Sequence, residues 1–276
     1  MQTTKGFDQA SPRSQNPDGG ARMTGTTVLV HGFTGSSTSW PPGLFGALET
    51  AGCNPSAIDL PGHGLQKADT ERETFDLETV FSRIGRARVG SLERGPLIGY
   101  SMGGRVGLHY AVRHPDRVSH LILESSSPGL ATEAERETRR LGDAELAQCI
   151  LEEGVESFVE NWETLPIFAS QRRLTEEARE GQRRRRLSND ALRMAGALRG
   201  LGTGTLPSLW PALAGLDLPI LLVVGEEDDK FVAIANRMDA LLPSAHLVVV
   251  PDCGHAVHLE APDVWAACVT DFLDHH

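Results

Sequence analysis

The chain is nearly without lysine. Of its 26 basic residues only Lys5, Lys67 and Lys230 are lysines, and the rest are arginine. It also lacks an excess of positive charge: the net charge of −11 excludes general nucleic-acid binding, which needs a basic face. No apolar run approaches the roughly 18–20 residues of a membrane span, so stable membrane insertion is not expected. The four cysteines, Cys53, Cys149, Cys253 and Cys268, are far apart and form no Cys-x-x-Cys. That spacing offers no Cys-x-x-Cys redox motif, and a reduced, cytoplasmic chain is the simplest reading. The opening stretch MQTTKGFDQASPRSQNPDGGAR has no apolar segment, so it is not expected to be a secretory signal. Residues 1–24 are expected to be a disordered leader, with Met23 as the natural start. There is no internal repeat.

What is present is an alternation. The 276 residues suit one large α/β domain, or two small ones, with ample length for a buried core. Short apolar or β-branched runs recur at TTVLV (26–30), PSAIDL (55–60), PLIGY (96–100), VSHLILE (118–124), LPILLVV (218–224) and AHLVVV (245–250). Such runs suit strands buried on both faces. Segments of helical period lie near 74–91, 102–114, 231–242 and 262–274. Alternating strands and helices predict an α/β fold, a mostly parallel central sheet with helices on both faces and ligands bound at the strands' carboxyl ends. The rhythm breaks once. From about 130 to 205 the pattern is helical throughout, and this stretch holds 12 arginines and no lysine. We read it as a helical lid inserted after the fourth strand, between core segments 25–129 and 206–276. Codon bias explains an arginine excess, and so does bidentate binding of carboxylates; the composition leaves both open.

One motif points to chemistry. Gly99-Tyr100-Ser101-Met102-Gly103 fits G-x-S-x-G, the turn that holds a nucleophilic serine between a strand and a helix. The reversal strains the serine backbone, and side chains beside it would clash, which calls for glycine. The alternative is a glycine-rich turn whose serine only caps the helix. A nucleophilic serine needs a base, and in this architecture an acid and then a histidine follow it. Asp228 lies just past the fifth strand, where Asp229 and Glu227 compete with it. His255 lies just past the sixth, where His258 competes. Asp228 and His255 are preferred, because each sits a few residues into a loop leaving a strand at a glycine or proline. After the first strand, His31-Gly32-Phe33-Thr34-Gly35 offers an oxyanion hole, with the amides of Phe33 and Met102 as donors. Asp59-Leu60-Pro61-Gly62-His63-Gly64 reads as a rigid structural loop, with His63 structural.

Together HGFTG, DLPGHG, GYSMGG and GHAVH resemble the α/β-hydrolase superfamily. That superfamily does not by itself give a reaction. The segments GYSMGGR, ESSSPGL, ERETRR, NWETLPIFASQ, LRGLGTGTLPSLW and GEEDDKF are similar to the 2-succinyl-6-hydroxy-2,4-cyclohexadiene-1-carboxylate synthases of menaquinone biosynthesis. The resemblance implies a lyase in a hydrolase fold, without metal or cofactor. It implies a small anionic substrate with three carboxylates, from which the activated serine takes a proton and pyruvate leaves. It carries substrate binding onto Tyr100, Arg105, Arg139, Trp162 and Arg186. Arg186 is the best match within the run Arg183 to Arg186, and the other three are expected to form a solvated helix face. Arg105 near a helix start opposes the helix dipole, which favours a functional reason for it. Little sequence precedes the first strand to form the usual leading hairpin, so fewer strands are expected. The alternatives are a carboxylesterase or C–C bond hydrolase, whose lid should be apolar, and a non-catalytic receptor of the same fold.

Overall fold

The computed structural model describes residues 25–64, 73–88 and 94–276. The expected leader, residues 1–24, lies outside the described residues, as does the end of the helical segment expected near 74–91. In chain order the elements are β1 (Thr26–Val30), α1 (Pro42–Thr50), β2 (Asn54–Ile58), α2 (Leu77–Ala87), β3 (Gly95–Tyr100), α3 (Met102–Arg113) and β4 (Val118–Glu124). Then come α4 (Glu133–Glu163), α5 (Glu176–Leu187), α6 (Ala191–Leu201), β5 (Ile220–Gly225), α7 (Asp229–Asp239), β6 (Ala245–Val250), α8 (Val257–Glu260) and α9 (Pro262–His275). The six strands form one sheet in the order β2-β1-β3-β4-β5-β6. Every pairing among the described residues is parallel.

The apolar runs fold as strands because both of their faces are covered. Val28, Val30, Leu97, Leu121, Leu123, Ile220 and Leu222 pack with Val80, Ile84 and Val106 of α2 and α3. The alternate positions Leu29, Ile98, Ile122, Leu221 and Val223 pack with Leu44, Leu48, Trp265 and Val269 of α1 and α9. That two-residue alternation between two separate cores is the pleat of a sheet sandwiched by helices.

Connections from β1 leave toward β2, whereas those from β3 leave the other way toward β4. The loops after β1 and β3 therefore part from one another, which opens a crevice at their carboxyl ends. The register sets Val30 beside Gly99, Tyr100 beside Glu124, and Gly225 beside Val250. The loops carrying Phe33, Ser101, Asp228 and His255 thus all leave the same edge.

The helical insertion follows β4, as the sequence predicts, and contains α4, α5 and α6. Thr132 caps α4 in a capping box with Glu135. Gly154 breaks α4 with a φ of 84° and ψ of 171°, so its second half, bearing Phe158 and Trp162, sets off in a new direction. Phe158 and Val159 join Ala147, Met194 and Leu198 in a third core between α4 and α6.

Candidate active site

Ser101 joins β3 to α3 with φ 51° and ψ −110°, a region that L-residues rarely enter. Such strain costs on the order of 1–3 kcal/mol and persists only when the surroundings enforce it. Here they do. The Ser101 N–H donates to the Glu124 carbonyl at 2.9 Å, and the Ser101 carbonyl accepts from Arg105 N–H at 3.0 Å and Ser126 Oγ–H at 3.1 Å. A Cβ on Gly103 would collide with the Val30 carbonyl, and one on Gly99 with the Gly104 backbone. Glycine is required at both for steric reasons, as the motif suggests. The serine makes no capping bond to α3. Its hydroxyl lies 3.0 Å from His255 Nε2 instead.

The far nitrogen of that ring, Nδ1, lies 2.6 Å from Asp228 Oδ2. The other oxygen of Asp228 accepts the Phe231 N–H that opens α7, at 3.3 Å. Asp228 is therefore both the cap of a helix and the orienting group of an imidazole. His255 is almost wholly buried and wedged against the Phe231 ring at 4.7 Å and the Tyr100 ring at 5.4 Å. The three competitors are occupied elsewhere or exposed. Glu227 pairs with Arg173 at 2.9 Å, Asp229 is exposed in α7, and His258 Nδ1 is bound to Glu124 at 2.8 Å. A serine, an imidazole and a carboxylate linked in this order can transfer a proton from the hydroxyl to the ring.

Phe33 and Met102 both line the cavity above Ser101. Met102 is the first residue of α3, so its N–H has no partner within the helix. That cavity has a volume of about 370 Å³. Tyr100, Arg105, Arg139, Trp162 and Arg186, the residues expected to bind substrate, all line it. Arg185 and Lys230 line it as well, and among the described residues no aspartate or glutamate does. A chain of net charge −11 thus gathers five cations around one space.

The arginines are held differently. Arg105 is buried, donates to the Leu201 carbonyl at 3.0 Å, and keeps its Nε without a partner. Burial, with Arg139 nearby, pushes it down to about 10, so it stays charged at neutral pH. Arg139 is fixed by Asp143 at 2.7 Å. Arg186 donates to Glu163 at 3.0 Å and lies over the Phe168 ring at 5.2 Å. Trp162 stands against Phe33 and Phe168, and its indole N–H is buried without a partner.

The arginine run differs from expectation. Only Arg183 and Arg184 turn away from the cavity, toward Glu163 and Glu160 and toward Glu180. Arg185 faces the cavity beside Arg186. The reason is that α5 packs across the site with its last turn inward, which a run of four identical residues cannot reveal. Glu124 is a second residue that pattern reading passed over, because it ends an apolar strand. Its carboxylate is fully buried and accepts His258 N–H, His258 Nδ1–H and Trp265 Nε1–H at 3.1, 2.8 and 2.8 Å. It ties the loop of His255 to the strand beside Ser101. His63 is buried, with its ring edge-to-face against Phe33 at 5.4 Å.

Residues 27–268 match the model of the alpha/beta hydrolase family. A Bacillus subtilis (strain 168) protein named provisionally as 2-succinyl-6-hydroxy-2,4-cyclohexadiene-1-carboxylate synthase is 41% identical over 263 residues, 93% of each chain. The enzyme of that name from Enterobacter sp. (strain 638) is 33% identical over 247 residues, covering 89% of this chain and 90% of its own. The solved structure of MenH from S. aureus superposes with a TM-score of 0.80 at 38% identity, over 90% of this chain and 93% of that one. The protein therefore belongs to the 2-succinyl-6-hydroxy-2,4-cyclohexadiene-1-carboxylate synthases, within the alpha/beta hydrolase family.

Proposed function

We propose that this protein is a lyase of the menaquinone pathway, acting in the cytoplasm. It eliminates pyruvate from 2-succinyl-5-enolpyruvyl-6-hydroxy-3-cyclohexene-1-carboxylate to give 2-succinyl-6-hydroxy-2,4-cyclohexadiene-1-carboxylate. One observation carries the reading. A single cavity joins a serine hydroxyl, already 3.0 Å from an imidazole, to five side-chain cations and, among the described residues, no carboxylate. A substrate with three carboxylates matches that field, and a neutral ester does not.

The residues divide the work as follows. Asp228 accepts the Nδ1–H of His255, which leaves the Nε2 lone pair facing Ser101. His255 takes the hydroxyl proton, and the Ser101 oxygen removes the proton from the ring carbon that bears the succinyl ketone. The electrons of that C–H bond move onto the ketone oxygen as an enolate. The Phe33 and Met102 amides donate to that oxygen. The electrons then return through the ring alkene and break the bond to the enolpyruvyl oxygen. The leaving enolpyruvate collects the proton held by His255, by way of Ser101, and becomes pyruvate. General-base assistance of this kind is worth about 10²–10⁴ in rate, and one oxyanion donor about 10²–10³. Tyr100, Arg105, Arg139, Trp162 and Arg186 hold the substrate, and the segment 130–205 acts as a lid on the core formed by 25–129 and 206–276.

The test supplies the enolpyruvyl substrate and follows pyruvate with lactate dehydrogenase and NADH. Wild type releases pyruvate, and Ser101→Ala slows it by about 10³ or more. Rapid turnover of p-nitrophenyl esters with no pyruvate formed overturns the reading in favour of an esterase.

A further inference from the structure

We propose that Arg185, with the outer polar groove it borders, forms an exit subsite for the small carboxylate anion that the reaction releases. The inference rests on the reading above, in which pyruvate leaves.

Two grooves on the outer surface adjoin the reaction cavity. The first shares Phe168, Gln182 and Arg186 with it and is also lined by Glu163, Glu176 and Glu180. Its shared arginine is already bound to Glu163 at 3.0 Å. Arg172, Arg179 and Arg183 line it as well, so its charges are mixed, and Arg183 too is bound to Glu163, at 2.7 Å. The second groove shares Arg185 with the cavity. Its wall carries the hydroxyls of Ser36, Thr38 and Ser188 and a second arginine, Arg184. Its one carboxylate, Asp59, is engaged by the Ser37 N–H at 2.5 Å and is 11% exposed.

Arg185 differs from its neighbours in the run. Glu163 binds Arg183 and Arg186, and Glu180 lies 3.5 Å from Arg184. Arg185 has no ion pair among the described residues. It is half-buried between Arg184 and Arg186, and burial together with their charges pushes its pKa below the usual arginine value. A partly desolvated guanidinium between two others gains from any anion that reaches it. It is also firmly placed: Asn189 Nδ2 donates to the Arg185, Arg186 and Thr34 carbonyls at 3.2, 3.1 and 3.0 Å. The Thr34 to Ser39 turn forms the wall between cavity and groove, so an anion freed beside Ser101 meets Arg185 on the way out. A fork of N–H donors takes one carboxylate bidentately, and the Arg184 guanidinium lies beyond it in the groove wall. The species that fits is a short 2-oxo acid.

The test measures pyruvate and succinate binding by titration calorimetry on the full chain, which needs no turnover. Wild type and Ser101→Ala should bind pyruvate alike. Arg185→Gln should weaken pyruvate binding about tenfold, equivalent to about 1.4 kcal/mol, and leave succinate binding unchanged. Arg185→Lys should recover part of the loss, and circular dichroism checks that each variant is folded. Equal pyruvate affinity in Arg185→Gln overturns the subsite, and so does absence of pyruvate binding to wild type. Equal loss for both anions overturns it too, because Arg185 would then supply only a general field. Failure of the lyase reading shows separately, as no pyruvate formed from the enolpyruvyl substrate by wild type.

Discussion

The carboxamide of Asn189 donates to the carbonyl oxygen of Thr34 at 3.0 Å, across 155 residues of chain. Asn189 is buried and ends the turn after α5, while Thr34, with a φ of 68°, lies next to the oxyanion candidate Phe33. One side chain therefore locks the helix bearing Arg185 and Arg186 onto the loop that would receive developing charge. Its partners are carbonyl oxygens, so a donor is indispensable there. Asn189→Asp keeps the shape but turns a carboxylate toward three carbonyls. We expect it to lower kcat/KM about 10- to 100-fold and to do more harm than Asn189→Ala, since a buried unpaired charge costs more than a lost bond. Steady-state kinetics on the two variants decide this, and an aspartate variant as active as wild type would sink the argument.

Two glycines of α3 should respond in opposite ways to the same change. A Cβ on Gly103 meets the backbone carbonyls of Val30 and His31, which cannot move aside without displacing β1. A Cβ on Gly107 meets only the Leu97 side chain, at 3.5 Å. Gly103→Ala should destabilise the fold by about 3 kcal/mol or more, as severe overpacking does. Gly107→Ala should be neutral or stabilise by up to about 1 kcal/mol, because alanine favours the helix. Urea midpoints for the pair separate the cases.

Much of this was legible before any coordinates. Strands covered on both faces must be apolar throughout, which is why Ile220–Gly225 and Val118–Glu124 stand out as runs. Ser101, Asp228 and His255 were readable because each follows a strand end, and strand ends converge in a parallel sheet. Arg185 was not, because neighbouring helical residues point about 100° apart and only packing says which of them faces inward. Glu124 was hidden by its apolar run, and its role depends on His258, 134 residues away. Lys230 was visible as one of three lysines, yet nothing local said that the first turn of α7 borders the cavity.

Glu124 leads to a prediction of its own. Its two oxygens accept three N–H groups, from His258 twice and Trp265 once. Glutamine offers one acceptor and one amide, so a donor must face a donor. Glu124→Gln should cost about 1–3 kcal/mol in stability. It should lower kcat more than it raises KM, because the loosened loop carries His255 rather than a substrate-binding arginine. A change confined to KM would contradict this positioning role.

Acid should unfold the protein through two imidazoles that never face solvent. Burial holds His31 down to about 4 and His63 to about 3, and each ring also feels a charged neighbour. His31 Nε2 accepts the Leu60 N–H at 3.0 Å, so protonating it breaks a buried bond. His63 Nε2 is buried without a partner, so its charged form would be unpaired. In the unfolded chain both rings titrate near the ordinary histidine value of about 6.5. Below that pH the unfolded state binds protons that the folded state refuses, so stability falls as pH falls. The stability is fully present above about pH 6.5 and is lost progressively toward pH 4 and below. At pH 5.5 the loss is about 1.4 kcal/mol per ring, or roughly 3 kcal/mol for the pair. A chain of this size should then melt several degrees lower at pH 5.5 than at pH 7.5. Calorimetric melts at the two pH values test this, and an unchanged midpoint would mean that these rings already carry protons in the folded state.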